Sequence, residues 1–208
     1  MALNLVHRVH VPADVTGPRP AVVMVHGWQG NEKVMSVFER LLPPGVVMVS
    51  PRAPIETEPG SFGWFRGLDD DAGFAAGLAD LRAFVTALPS EYPIDPQQIV
   101  LMGFSQGAAM SLALALSAPE LARGVAALAG FVPAQALGWA TPGKLAGTRI
   151  FIAHGRTDET VSIDKARAAR AVLTQAGAAV DYHEYDIGHK LNTAGMNDLK
   201  AWLRARVE

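Results

Sequence analysis

The chain has 208 residues, half of them hydrophobic and 18% charged, with a formal net charge of −2 and no cysteine. That composition supports a sizeable buried core and excludes wholesale disorder, and the small negative charge gives no overall attraction to nucleic acid or to an anionic membrane. The absence of cysteine excludes disulfides and thiolate chemistry and fits a reducing compartment.

The first residues alternate through Leu3, Leu5, His7, Val9 and Val11, which predicts a half-exposed first strand and lacks the unbroken apolar stretch of a signal peptide. No run approaches the roughly 20 apolar residues that span a bilayer, so a cytoplasmic protein without membrane insertion is expected. Pro12, Gly17, Pro18 and Pro20 mark a turn, and Ala21 to Val25 is a short apolar run suited to a buried strand. Asn31 can cap a helix with Val34, Phe38 and Leu41 on one face. Val46 to Val49 is the next strand. Asp69, Asp70 and Asp71 place negative charge where a helix begins, and Phe74, Leu78, Leu81, Val85 and Leu88 form its apolar stripe.

Further strands follow at Ile99 to Met102, Val125 to Ala129 and Arg149 to Ala153. A helix opens at Ser162 and closes near Gly177, and an alternating strand runs from Val180 to Asp186, close to a sheet edge. Leu199, Trp202 and Leu203 belong to a terminal helix. Strands alternating with helices predict one α/β domain over residues 1–208: a seven-stranded, mostly parallel sheet with an antiparallel first strand, helices on both faces and no cap domain. Two stretches rich in proline, glycine and aromatics, Ala53 to Gly67 and Phe131 to Thr148, resist assignment, and loops of such length are usually functional.

Residues 99–116 carry the chemistry. An apolar strand enters Gly103-Phe104-Ser105-Gln106-Gly107, and a small-residue helix leaves it. The Gly-x-Ser-x-Gly pentapeptide alone arises by chance in about one chain in ten of this length. Between a strand and a helix it becomes a nucleophile elbow, in which the serine is held in a strained conformation above the sheet and the helix N-terminus points at it.

A serine needs a base, and in this arrangement the acid and then the histidine follow at strand ends. His154 sits at a strand terminus where it packs or bonds backbone, and His183 lies in mid-strand. His189 stands in the loop after the last strand, with no structural reason to be histidine, and is the expected base. Asp158 follows the Arg149 strand and is the expected acid. Asp186 is its rival, while Asp164 reads as a first-turn helix charge and Glu159 as solvated. The oxyanion donors fall on the backbone of Gln106, next to the serine, and of Trp28, in the His26-Gly27-Trp28 loop after the early strand. With two backbone donors and a helix N-terminus in place, no metal and no cofactor is expected.

Taken together, these segments resemble the phospholipase/carboxylesterase family of α/β-hydrolases, which includes acyl-protein thioesterases and small bacterial carboxylesterases. The resemblance rests on Val-His-Gly-Trp at 25–28, Pro-Arg-Ala-Pro at 51–54, Trp64-Phe65, Gly-Phe-Ser-Gln-Gly-Ala-Ala-Met at 103–110, Ala-Gly-Phe-Val-Pro at 129–133, His-Gly-Arg-Thr-Asp-Glu-Thr-Val at 154–161 and Gly188-His189. It implies a Ser105, Asp158, His189 triad and oxyanion donors at Trp28 and Gln106. Trp28 stands where a leucine or similar residue is common, and Arg52 where histidine is common.

The resemblance implies hydrolysis of a small-molecule ester or thioester through an acyl-enzyme. Esters of short to medium acyl chains are expected, because the length leaves no room for a lid and the cleft should be open. Trp28, Trp64, Phe65 and Phe131 are its expected apolar walls. Thioesterase or lysophospholipase action on the same triad, lactone or peptide cleavage, and a non-hydrolytic binding protein on the same fold stay open as alternatives. Self-association into a homodimer and the role of Arg66 are likewise left open.

Overall fold

The computed structural model describes residues 3–13 and 16–207. Its main sheet has seven strands: β1 (His7–His10), β2 (Arg19–Val25), β3 (Val47–Pro51), then β6 (Ile94–Phe104), β7 (Gly124–Leu128), β8 (Arg149–Gly155) and β9 (Ala179–Tyr185). The intervening β4 (Ile55–Glu58) and β5 (Ser61–Gly63) pair with each other as a separate hairpin. The strand order is β1-β3-β2-β6-β7-β8-β9, with β1 antiparallel to β3 and every other pairing parallel. This is the expected seven-stranded sheet with its antiparallel first strand.

Strand β2 shows why the apolar runs are continuous rather than alternating. Ala21, Val23 and Val25 face one core and Val22 and Met24 the other, and all five are fully buried. The first core is closed by α1 (Asp71–Glu91), α2 (Gln106–Ser117) and α3 (Ile163–Gln175), with Phe74, Leu81, Leu112 and Leu173 pointing inward. The second is closed by a 3₁₀ helix (Val34–Leu41) and α4 (Thr193–Val207), through Met35, Phe38, Leu199 and Trp202.

Local signals set most helix starts. Asp70 caps α1, its carboxylate accepting from Gly73 N at 2.9 Å, and Ser162 caps α3. One helix, α3, occupies the span between β8 and β9, and among the described residues no helical domain stands over the strand ends.

Two expectations change, and two unassigned stretches gain structure. The helix begun by Asn31 is 3₁₀, and Asn31 makes a turn ahead of it, accepting from Lys33 N at 3.0 Å, rather than capping it. The 53–67 stretch contains the β4–β5 hairpin, and the 131–148 stretch contains a short 3₁₀ helix, Ala134–Trp139. The first strand is shorter than its alternation suggests, because pairing with β3 reaches only from His7↔Pro51 to His10↔Met48.

The order places β2 beside β6 while β2 also pairs with β3, so the chain winds in both directions from this point. A crevice opens at the carboxyl ends of β2 and β6, where such sheets bind ligands.

Candidate active site

Ser105 sits at the crevice, between β6 and α2. Its φ of 53° and ψ of −118° put a non-glycine residue in left-handed territory, which persists only when its surroundings hold it. Here Ser105 N donates to Leu128 O at 2.8 Å, and its carbonyl accepts from Ala108 N and Ala109 N. The turn closes tightly: a Cβ on Gly103 would lie 2.3 Å from Gly107 O, and one on Gly107 would lie 2.0 Å from Val25 O.

The loop after β8 brings Asp158 under the loop after β9. His189 Nδ1 lies 2.7 Å from Asp158 Oδ2, and the other carboxylate oxygen accepts from Thr160 N and Val161 N, each at 2.9 Å. Burial pushes the Asp158 carboxyl up, but the Val161 N–H, the His189 ring and the Thr160 N–H outweigh it and hold its pKa below the ordinary value. An ionised carboxylate only accepts, so Nδ1 of His189 carries the proton and Nε2 is left as the basic nitrogen. The His189 ring packs on Phe104, the neighbour of Ser105, at 4.9 Å between centroids. Ser105 and His189 line one cavity of about 540 Å³ together with Trp28.

Of the rival residues, all but His154 lie elsewhere. Asp186 is 85% exposed and paired with Arg156. His183 bonds Asp181, while the buried His154 directs Nε2 to Val161 O at 2.8 Å and stands 3.4 Å from Asp158 Oδ2, the oxygen that faces His189. Asp164 and Glu159 are exposed, as is Arg66.

His26 explains how the Trp28 backbone is aimed. Ala53 N–H donates to His26 Nε2 at 3.0 Å, so the buried ring carries its proton on Nδ1, which donates to Gly27 O at 2.7 Å. Gly30 N donates to the same carbonyl at 3.1 Å. In a trans peptide the Gly27 carbonyl and the Trp28 N–H point in opposite directions, so fixing one fixes the other. Trp28 N–H has no acceptor among the described residues, and Gln106 N–H is the unsatisfied first donor of α2. Both flank Ser105.

The aromatic walls differ from expectation. Trp28 lines the cavity and is 40% exposed. Trp64 is fully buried, because its indole N–H reaches His26 O at 3.0 Å and its backbone N–H reaches Gln106 Oε1 at 2.8 Å. Phe65 is buried against Phe74, and its carbonyl accepts from Gln106 Nε2 at 2.7 Å. These two residues brace the elbow from below rather than wall the cleft. Phe131 lines a separate cavity with Leu68 and Leu137. The apolar wall instead comes from Val34, Met35, Phe38, Leu191 and Met196. In the sequence Val34 and Phe38 read as the inner face of a helix, and Met35, Leu191 and Met196 carry no signal of their own.

Arg52 ties three elements to the Trp28 loop. Its guanidinium grips buried Glu32 with two bonds of 2.7 and 3.0 Å and lies over the Phe62 ring of β5, and its backbone N–H donates to Val6 O. The Arg52 bonds hold the Glu32 pKa down at about 2, from 4.5. Burial lowers the His26 pKa from 6.5. A group whose folded pKa is depressed stabilises the fold above its unfolded pKa and loses that stability as pH falls through the folded one. The urea midpoint is therefore expected to decline below pH 6.5 as His26 is forced to protonate, and again between 4.5 and about 2 as Glu32 does. Arg52→Met should shrink the second decline, whose remainder comes from Glu184, held at about 2 by Arg167, and leave the first. A midpoint flat from pH 7 to 5 would contradict the His26 assignment.

A parallel sheet sandwiched by helices, with a serine elbow at its switch point and a carboxylate–imidazole pair beside it, defines the α/β-hydrolase class. Within that class, the family model for Phospholipase/Carboxylesterase matches residues 10–207, and the chain belongs to this family. The crystal structure of the Bacillus cereus carboxylesterase superposes with a TM-score of 0.87 at 25% identity, covering 98% of this chain and 95% of that one. Acyl-protein thioesterase 1 of Candida albicans is 24% identical, over 98% of this chain and 99% of its own. Carboxylesterase SOBER1 of Arabidopsis thaliana is 28% identical over 116 residues, so the chain spans about half (51%) of that relative. No helix of the described residues is long and apolar enough to cross a membrane.

Proposed function

We propose that this protein hydrolyses carboxylic esters of short to medium acyl chains through a covalent acyl-enzyme on Ser105. The observation that carries this reading is the 2.7 Å bond from His189 to buried Asp158, with His189 in the same cavity as the strained Ser105. His189 Nε2 takes the proton of Ser105 Oγ as the oxygen attacks the ester carbonyl carbon. The backbone N–H groups of Trp28 and Gln106 hold the oxyanion. His189 then gives the proton to the departing alcohol oxygen as the C–O bond breaks. A water, deprotonated by the same nitrogen, attacks the acyl carbon and releases the acid and the free serine.

Thioester hydrolysis is the second reading, supported by the near full-length match to an acyl-protein thioesterase; its steps are the same with a thiol leaving. Acyl preference follows from the cavity. The part of the cavity of about 540 Å³ that is bounded by Trp28, Val34 and Phe38 accommodates a short or medium chain, each buried CH₂ contributing about 0.8 kcal/mol.

Two measurements test this. A fluorophosphonate should label wild type and leave Ser105→Ala unmodified. A series of 4-nitrophenyl esters from acetyl to palmitoyl should show maximal kcat/KM at short or medium length, without a jump above the micelle threshold. Labelling elsewhere, or a sharp maximum at palmitoyl, would overturn the reading.

A further inference from the structure

The reactive cavity does not end at His189. Lys190, Leu191 and Met196 border it and also border a second depression of about 630 Å³, between the end of the Val34–Leu41 3₁₀ helix and the start of α4. This neighbour has a different character. Arg40, Lys190 and Lys200 line it, together with the polar side chains of Asn192, Thr193 and Asn197, and no carboxylate does. Those three cations are exposed and make no side-chain hydrogen bond or ion pair among the described residues, whereas Arg52, Arg156 and Arg167 are all held by carboxylates. On a chain of net charge −2, three unpaired cations around one depression form a local concentration of positive potential.

The chemistry fixes which part of a substrate lies there. The leaving oxygen must come within reach of His189 Nε2 to receive its proton, so the alcohol portion extends on the His189 side, toward Lys190. We propose that the depression lined by Arg40, Lys190 and Lys200 is a leaving-group subsite for a phosphate monoester, and that the preferred substrates are esters whose alcohol carries that dianion. A dianion matches three cations better than a single carboxylate does. This rests on the serine hydrolase reading above and adds to it the identity of the alcohol.

The test compares 1-butyrylglycerol 3-phosphate with neutral 1-butyrylglycerol, which share the scissile ester and differ only in the phosphate. Wild type should favour the phosphate ester about tenfold or more in kcat/KM, and raising NaCl from 20 to 500 mM should erase most of that preference, because exposed charges are screened. Arg40→Gln and Lys200→Gln, together, should bring the ratio close to one while leaving kcat/KM for the neutral ester unchanged.

Mono-4-nitrophenyl succinate, whose carboxylate is on the acyl side, should gain nothing over 4-nitrophenyl butyrate. A salt-sensitive gain there would move the anion to the acyl side and overturn the assignment. Equal rates on the two glycerol esters, or a preference that survives the double substitution, would also overturn it. If instead neither glycerol ester nor 4-nitrophenyl butyrate is cleaved in a Ser105-dependent reaction, it is the hydrolase reading that fails.

Discussion

Replacing Ser105 by alanine is expected to lower kcat on 4-nitrophenyl butyrate by about a millionfold without unfolding the chain, and His189→Ala should cost about as much. In the proposed mechanism the two act as one unit: without the base the hydroxyl is a poor nucleophile, and without the hydroxyl the base has nothing to activate. The double variant should therefore be no worse than either single one. Asp158→Asn should cost less, about 10⁴-fold, since the ring then loses the acceptor that fixes its tautomer while the oxyanion donors persist. Asp158 is also held by the N–H groups of Thr160 and Val161, so the amide keeps its place in the loop. Asp186→Asn should stay within about twofold of wild type, because that carboxylate is exposed and engaged by Arg156. If Asp186→Asn were the more damaging change and Asp158→Asn nearly silent, the acid would be misassigned. Thermal unfolding of each variant separates loss of chemistry from loss of fold.

The parts of this molecule that were legible in its sequence are those dictated by local rules. Ile99 to Met102 had to be a buried strand because no side of it is polar, and Gly103 and Gly107 bracket a turn that side chains would block. The negative charge of Asp69 to Asp71 and the capping hydroxyl of Ser162 announced their helices, because a helix start attracts both to its free N–H groups. The strand ends bearing Asp158 and His189 followed from chain order, and their meeting at 2.7 Å is consistent with that reading.

What stayed hidden depends on packing between distant segments. Nothing in Ile-Glu-Thr-Glu marks β4, which pairs only with a three-residue partner and has no face in the main core. Trp64 looked like a cleft residue because it is a large aromatic in a loop. Only the fold reveals His26 O and Gln106 Oε1 as the partners that draw it inside. The same blindness hid Val34 and Met196, which lie 162 residues apart and meet across one cavity. The tautomer of His26 was equally out of reach, since it is set by Ala53, at the end of another strand.

Gly107→Ala sets two effects of opposite sign against each other. Position 107 is the second residue of α2, where helix propensity alone favours alanine over glycine by about 1 kcal/mol. The added Cβ, however, would lie 2.0 Å from Val25 O and 2.5 Å from His26 O, both backbone atoms at the end of central strand β2. Neither can rotate away as a side chain would, so α2 and β2 must separate, opening packed surface between Ala108 and the sheet. The expected cost exceeds about 4 kcal/mol, which for a chain of this length lowers Tm by about 10 °C or more. Gly103→Ala, facing Gly107 O at 2.3 Å, should behave alike, whereas Gly138→Ala, which meets nothing within 4 Å, should leave Tm unchanged. The separation also falls between the two proposed oxyanion donors, since Trp28 follows β2 and Gln106 opens α2. Any Gly107→Ala protein that does fold should therefore lose kcat with little change in KM, as expected when a contact made only in the transition state is spoiled. A variant as stable and as active as wild type would mean that the close approach of β2 and α2 is not what the elbow requires.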